Sequence, residues 1–229
     1  MGSLKFLVLI TVYSILTSCA ANGPASDPIV RNLRWFSYIN GDDLRGACVA
    51  GAVDTYRFIY NSQWHKQVRT YEIVVAQQPA ATLTVQVFSP GSVINAYLDA
   101  MRGQAATLTA STALSSAELA QFRDKIATSG FGGPPPKGAW LRSDQFYWLG
   151  MGCENGQFRY NAWPIDPLQP ETDLAALAFP ALLMAHDATG APMAQPHLLD
   201  LAPFDSVRAR REGHMMLFRV QVGENGIRH

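Results

Sequence analysis

The sequence predicts an α+β fold in which a mainly antiparallel sheet is accompanied by a few short helices. Several runs rich in β-branched and aromatic residues are separated by short connections, one Asn-Gly pair lies between two such runs, and one helix has clear start and stop signals. Short connections favour antiparallel neighbours. With 48% hydrophobic, 10% aromatic and 16% charged residues, the 229-residue chain has the composition of a globular protein.

The first predicted elements are a short helix and three strands. A helix is expected over 41–48, with Asn40 before it and Gly51 available to end it. Strands are expected over 55–61, 67–76 and 82–88. The third strand alternates strictly, which indicates a sheet with one covered face and one wetter face. Its apolar set is Leu83, Val85 and Val87, and its polar set is Thr82, Thr84 and Gln86.

Two helical patterns and a possible strand follow. Apolar residues recur at helical spacing between Val93 and Met101, and 104–112 could return as a strand. Ser115 and Glu118 fit a capping box, in which each side chain satisfies a free backbone N–H at the helix start. A helix is therefore predicted over 116–128, with Leu119, Phe122 and Ile126 on its buried side and Gly130 beyond its end.

The run Gly-Gly-Pro-Pro-Pro-Lys-Gly at 132–138 favours an extended, polyproline-like form, because proline removes backbone donors and fixes φ. A stiff connector is the favoured interpretation. The alternative is a segment that binds an aromatic-lined groove of a partner.

The sequence of the C-terminal third predicts a hairpin and several short elements. Asn155-Gly156 between 145–153 and 157–163 is a strong hairpin signal. A brief helix is expected over 171–177, and 181–186 is either its apolar continuation or an edge strand. Residues 191–206 are expected to form a loop, and 215–222 a final strand.

The N-terminus has the pattern of a targeting segment. Lys5 is followed by an apolar run, 6–15, that is too short for a permanent membrane span. The run ends in Leu16-Thr17-Ser18-Cys19, which resembles the lipobox of bacterial lipoproteins. The resemblance implies thioether diacylglycerol on Cys19, cleavage before it, and acylation of the new N-terminus with a chain such as palmitate. The alternatives are an ordinary secretory signal and an uncleaved anchor.

The expected organisation is a lipoprotein signal peptide at 1–18, a lipidated tether at 19–30 and one globular domain at 31–229. The tether contains small and polar residues with little to bury. Alanine follows Cys19, which in enteric lipoproteins resembles the pattern of export to the outer membrane. The segments 56–61 and 152–162 also resemble parts of uncharacterised proteobacterial lipoproteins. This likeness implies the same location and carries no information about an activity. The expected location is the periplasmic face of the outer membrane.

Two cysteines remain once Cys19 is acylated. An even pair in an oxidising compartment predicts a disulfide between Cys48 and Cys153, and two buried free thiols are the alternative.

The charges of the chain are balanced. Lys+Arg and Asp+Glu both number 18, so no overall electrostatic field attracts nucleic acid. The local basic cluster, Arg208, Arg210 and Arg211, is interpreted as a solvated loop. The expected partner is a membrane, reached through the lipid, and an envelope protein is a further candidate.

Candidate chemistry is sparse. The sequence has no G-x-S-x-G, G-x-x-x-x-G-K-[ST], G-x-G-x-x-G or H-E-x-x-H. A thiol enzyme could use Cys153 with His186 and Asp187. A copper site could use soft and imidazole ligands, namely Met193, His197, His214, Met215 and Met216. Aromatic side chains could line a groove for a glycan or lipid, with Tyr147 and Trp148 on opposite faces and Phe158 and Tyr160 on one face.

For each of these three sets, a purely structural role is the favoured interpretation. No catalytic residue, metal or cofactor is therefore predicted. The expected function is that of a lipid-anchored cell-envelope protein whose domain is a non-catalytic structural or interaction module. The alternative is a periplasmic binder of a small glycan or lipid, or an enzyme without a recognisable motif. The sequence leaves catalysis undecided and leans against it.

Overall fold

The computed structural model describes residues 35–64, 66–76, 80–88, 108–201 and 218–228. The chain divides into two compact units, Met1–Trp35 and Phe36–His229, and the sheets lie in the second. The predicted signal peptide, the lipidation site, the tether and the domain start at residue 31 all lie outside the described residues.

The elements follow one another as short strands and helices. In chain order they are α1 (Asp42–Ala47), β1 (Thr55–Ser62), β2 (Gln67–Val75), β3 (Ala81–Phe88), β4 (Leu108–Leu114), α2 (Ser116–Thr128), β5 (Trp140–Arg142), β6 (Phe146–Glu154), β7 (Gln157–Pro164), α3 (Pro170–Ala176), α4 (Pro180–Ala185), β8 (Arg219–Val222) and β9 (Ile227–Arg228).

Two antiparallel sheets are built from these strands. The main sheet has six strands in the order β4-β3-β2-β1-β6-β7, and the second has three in the order β5-β8-β9. Every pairing is antiparallel. The predicted α+β class, with its mainly antiparallel sheet and few short helices, is confirmed. No helix among the described residues is both long and apolar enough to span a bilayer.

One face of the main sheet carries the aromatic core. Leu83, Val85 and Val87 of β3 are buried on it, while the intervening polar residues are partly exposed, as the alternation predicts. Phe58 lies at its centre and contacts aromatic rings from four other parts of the chain at centroid distances of 4.8–6.2 Å. These rings belong to Phe122, Phe131, Trp163 and Phe179. Helices α2 and α4 therefore cover this face.

Helix α2 has the predicted bounds because its determinants are local. The Ser115 hydroxyl accepts a bond from the Glu118 amide at 3.3 Å, and the Glu118 carboxylate accepts one from the Ser115 amide at 2.7 Å. Leu119, Phe122 and Ile126 are its buried residues, and Gly130 has φ +80° just beyond its end. The capping box and the buried stripe are both confirmed.

The opposite face of the main sheet is covered at β6 and β7 by α1 and by loop contacts. Gly41 precedes α1 with φ +68°, and a Cβ there would meet Met151 at 2.9 Å, so the backbone needs glycine to approach the sheet. The Asn40 side chain accepts a bond from the Ile227 amide at 2.8 Å. Arg45 donates to the Asn225 carbonyl at 2.6 Å. These bonds join α1 to the second sheet.

Several predicted elements differ in detail. Residues 181–185 belong to a separate helix, α4, and His186 caps its end, so the segment is neither a continuation of the preceding helix nor an edge strand. Pro180 starts α4 at a first-turn position, where its missing N–H has no consequence. The last strand is described from Arg219, and 215–217 lie outside the described residues, as do the helical pattern from Val93 to Met101 and the Arg208–Arg211 cluster. Strands β5 and β9 were not predicted from the sequence.

Candidate binding site

The candidate site is an open groove along the outer edge of β7, the last strand of the main sheet. Its opposite wall is the glycine- and proline-rich segment at 129–137. Two cavities, of about 400 and 500 Å³, lie between the strand and this segment and share Gly133 and Pro134 as lining residues. Together they border β7 from Phe158 to Pro164. We call this feature the edge groove.

The proline-rich wall is held at both ends by hydrogen bonds to the strands beside it. The Asn161 side chain donates to the Gly130 carbonyl at 2.6 Å, and the Trp163 indole donates to the Ser129 carbonyl at 2.7 Å. At the other end the Gly138 amide donates to the Val222 carbonyl of β8 at 2.8 Å. These bonds fix the distance between the wall and β7, so the groove is part of the fold.

The backbone of β7 presents alternate residues to the groove. Asn155 and Gly156 both have positive φ, 52° and 72°, as a type I′ hairpin turn requires. The turn makes Glu154 and Gln157 a hydrogen-bonded pair, and non-hydrogen-bonded and hydrogen-bonded pairs alternate along the two strands from there. The amides and carbonyls of Phe158 and Tyr160 consequently point away from β6. Pro164, which has no N–H to donate, occupies an outward position in the same series.

Some of the outward backbone groups of β7 already have a hydrogen-bond partner, and others have none among the described residues. The Ala162 amide, also outward, donates to the side-chain oxygen of Asn161 at 2.7 Å. Within the described residues, no hydrogen bond reaches the outward amides and carbonyls of Phe158 and Tyr160. The edge groove therefore presents two adjacent backbone positions that can pair with an extended chain.

One cation borders the groove with incomplete hydrogen bonding. The Arg159 side chain is 37% exposed, and its Nε lies 3.7 Å from a Glu154 carboxylate oxygen, within ion-pair distance but beyond hydrogen-bond distance. That Nε is buried and has no partner among the described residues. Lys137, by contrast, pairs with Glu224, which lowers the pKa of that carboxyl through hydrogen bonding and charge.

The predicted disulfide between Cys48 and Cys153 is confirmed. It joins the residue after α1 to β6, with Cα atoms 5.4 Å apart. Cys153 is buried beside the sheet core. Because the chain contains three cysteines, the bridge leaves Cys19 as the remaining one, and Cys19 lies outside the described residues.

The residues of the thiol-enzyme hypothesis are not brought together. Cys153 is bridged, so it has no free thiol. His186 bonds Glu118, and Asp187 pairs with Arg69. The hypothesis is wrong for this set, because each member is engaged elsewhere.

The copper hypothesis can be followed only in part. Met193 packs against the aromatic core, and the His197 ring lies edge-on to Phe146 at 5.1 Å. His214, Met215 and Met216 lie outside the described residues. Among the residues that are described, no three His, Cys, Asp or Glu side chains are grouped to hold a metal ion.

The aromatic residues proposed for a glycan or lipid groove are mostly core. Tyr147, Trp148 and Tyr160 are buried, because both faces of β6 are covered. Burial raises the pKa of the Tyr147 and Tyr160 hydroxyls. Phe158 is half-buried and lines the edge groove. Arg159 was not predicted as a site residue, and the sequence offers 132–138 as a segment that enters a partner's groove, not as the wall of a groove in this chain. Pro164 is typical of an edge strand.

Ion pairs of two buried arginines, Arg57 and Arg69, hold the elements around the sheet together, and none was predicted from the sequence. Arg57 donates to Asp43 at 2.7 and 2.9 Å and to Glu72 at 2.9 and 3.1 Å. Burial opposes ionisation of Asp43, but the bonds from Arg57 outweigh it and lower the pKa of that carboxyl. Arg69 pairs with Asp187, and both side chains are almost fully buried. These pairs join α1 and the 187–201 segment to the sheet.

A histidine-carboxylate pair connects the start of α2 with the end of α4. His186 Nε2 lies 3.0 Å from Glu118 Oε1, and Nδ1 lies 3.1 Å from the Leu182 carbonyl. Both ring nitrogens face acceptors, so the protonated imidazole satisfies both bonds, and the bond to Glu118 raises the pKa of His186. Bonds from Ser115 and then His186 lower the pKa of Glu118 to about 2.

Thermal stability is expected to depend on pH through this pair. A raised histidine pKa contributes stability that is complete below about 6.5 and is lost as pH rises through the folded value. A lowered Glu118 pKa contributes stability that is complete above about 4.5 and is lost as pH falls towards 2. The Tm difference between wild type and His186→Gln should therefore be largest between these limits. Parallel Tm curves from pH 4 to 9 would contradict this role.

Comparison of the chain with protein-family models, with curated proteins and with solved structures finds no match.

Proposed function

We propose that this chain is a lipid-anchored cell-envelope protein whose folded domain is a non-catalytic interaction module. The observation that best supports the location is the Cys48–Cys153 disulfide. Structural disulfides persist in oxidising compartments such as the bacterial periplasm and are rare in the cytosol. The bridge uses the other two cysteines of the chain, which leaves Cys19 of the lipobox-like Leu16-Thr17-Ser18-Cys19 available for acylation.

The proposed anchor follows from the chemistry of that cysteine. Acyl chains bind a bilayer with about 0.8 kcal/mol per buried CH₂, and stable anchoring needs more than one chain. Diacylglycerol on the Cys19 sulfur together with an acylated N-terminus supplies this. The domain then lies beside a membrane surface, with the periplasmic face of the outer membrane as the proposed location.

The interaction role is supported by the edge groove. Its walls are an open strand edge and a proline-rich segment, and both are held by hydrogen bonds within the fold. The carboxylates of Asp43, which is exposed, and Asp187, which is buried, are engaged in ion pairs with buried arginines that join elements of the structure. A preformed groove of this kind suits the binding of a protein segment.

Intact-mass measurement of the full chain expressed in a Gram-negative host tests the anchor. The wild type is expected to begin at Cys19 and to carry three acyl chains, and to sediment with outer-membrane vesicles on a density gradient. Cys19→Ser is expected to lose the acyl mass, because serine has no thiol to form the thioether. Ser18→Ala is the matched control and should remain acylated, since it keeps a small residue before the cysteine. A wild-type protein without acyl mass would rule out the proposed anchor.

A further inference from the structure

We infer that the edge groove binds an extended polypeptide segment of a partner protein, with an acidic residue opposite Arg159, as an additional strand beside β7. This inference rests on the proposed interaction function and names the chemistry of its partner. It concerns the strand edge alone and does not depend on how the chain reaches a membrane.

The hydrogen-bonding groups that a strand needs are present on β7. The amides and carbonyls of Phe158 and Tyr160 point outward and have no partner within the described residues. Residues two positions apart on a strand are about 7 Å apart, which is the repeat of an antiparallel ladder. An extended chain can therefore form a regular ladder with both residues.

The groove also has the length that a strand needs. Its lining runs from Phe158 to Pro164, and at about 3.3 Å per residue this edge is roughly 20 Å long. The first cavity, of about 400 Å³, borders 158–160, and the second, of about 500 Å³, borders 161–164. The ladder is expected beside 158–160, because the Ala162 amide is already bonded to the Asn161 side chain and Pro164 has no N–H.

The far wall explains why the edge is unpaired in the folded chain. Pro134 and Pro135 line the first cavity and Pro136 the second, and none of the three has an N–H to donate. The wall covers the strand without forming a ladder with it. It supplies an apolar surface for one face of an incoming segment.

Arg159 favours an acidic residue at one position of the segment. The groove lining as a whole has no excess of positive charge, because Lys137 pairs with Glu224 and Asp173 lines the second cavity. The Arg159 guanidinium is partly exposed, its Nε has no hydrogen-bond partner among the described residues, and its ion pair with Glu154 is long, at 3.7 Å. A carboxylate on the incoming segment can form a charge-assisted bond with this group. We therefore expect an aspartate or glutamate side chain opposite Arg159.

Selection from a phage-displayed library of random nonapeptides on the purified full chain tests the inference. The strongest peptide is synthesised with blocked ends, and its Kd is measured by fluorescence anisotropy. We expect selected peptides to share alternating apolar positions and an acidic residue. If selection on the folded chain enriches no peptide, strand addition at β7 is refuted.

Phe158→Pro and Phe158→Ala form the decisive pair of variants. Both remove the ring, but only proline removes the outward N–H, and the ladder to β6 does not use that N–H. We expect Phe158→Pro to bind the peptide at least tenfold more weakly than Phe158→Ala. Equal Kd values for the two variants would overturn the inference.

Two further measurements keep the test independent of folding. If Phe158→Pro loses its native circular dichroism spectrum, peptides N-methylated at alternate residues remove the same bonds from the ligand side, and one alternate set should lose at least tenfold in affinity. Replacing the peptide's acidic residue by its amide should weaken binding about fivefold to wild type and not to Arg159→Gln. Insensitivity to both changes would refute the inference.

The experiment separates this inference from the proposed anchor. An acylated chain that selects no peptide overturns strand addition and leaves the anchor standing. An unacylated chain that binds peptide through β7 overturns the anchor alone. If sedimentation instead finds a dimer that Phe158→Pro dissociates, the edge belongs to a second copy of this chain, and the partner-segment inference is overturned.

Discussion

Replacing Cys48 and Cys153 together by alanine is expected to lower the free energy of unfolding by about 4 to 5 kcal/mol. The bridge spans 105 residues, and the chain-entropy model assigns a contribution of this size to a loop that long. Alanine avoids placing a polar hydroxyl at the buried Cys153 position. Urea denaturation monitored by circular dichroism gives the difference.

The wild type treated with a thiol reductant should behave as the double variant does, because both remove the same cross-link. The double variant itself should be insensitive to the reductant, which makes it the matched control. A loss below about 1 kcal/mol would contradict the role of the bridge as a major stabilising element of this fold.

Asp187→Ala is expected to lower the free energy of unfolding by about 3 to 5 kcal/mol. Arg69 is 1% exposed and Asp187 is 6% exposed, so removing the carboxylate leaves a guanidinium buried without its counter-ion. Among the described residues, Arg69 would keep a bond to the Ala191 carbonyl at 2.6 Å and one to the Gln67 side chain at 3.0 Å, and neither acceptor is charged. Urea denaturation of the purified variant measures the loss.

The double variant Arg69→Met and Asp187→Leu separates burial of a charge from loss of packing. It removes both charges, so its stability should lie much closer to the wild type than that of Asp187→Ala. Lys137→Met, which breaks an exposed pair, should change stability little. If the double variant is no more stable than Asp187→Ala, the buried charge is not the cause. Limited proteolysis within 187–201 should accelerate only in Asp187→Ala.

The elements that could be predicted from the sequence are those whose determinants are local. Helix α2 is fixed by bonds between residues three positions apart, and the β6–β7 hairpin by the positive φ values of Asn155 and Gly156. The alternation of β3 predicts its buried face because side chains on a strand change sides at every residue. Each of these patterns is complete within about a dozen residues.

The rest depends on contacts between distant parts of the chain. Strands β5 and β9 have three and two residues and exist only because they pair with β8. Arg69 and Asp187 are 118 positions apart, and no local pattern indicates that one will bury the other. The proline-rich segment was predicted as a stiff connector, but its position against β7 follows from packing after α2 and before the second sheet. The edge groove could therefore not be predicted.

The bridge between Cys48 and Cys153 also determines how a pulling force is transmitted through the molecule. Tension applied on the N-terminal side of the domain reaches Cys48 and crosses the sulfur atoms directly into the end of β6, the strand beside β7. The residues between the two cysteines, which include β1–β4 and α2, are thereby relieved of load. The turn between β6 and β7 follows Cys153 directly, so a pull on the chain is delivered beside the binding strand and bypasses Phe58, Phe122 and Phe131 of the aromatic core.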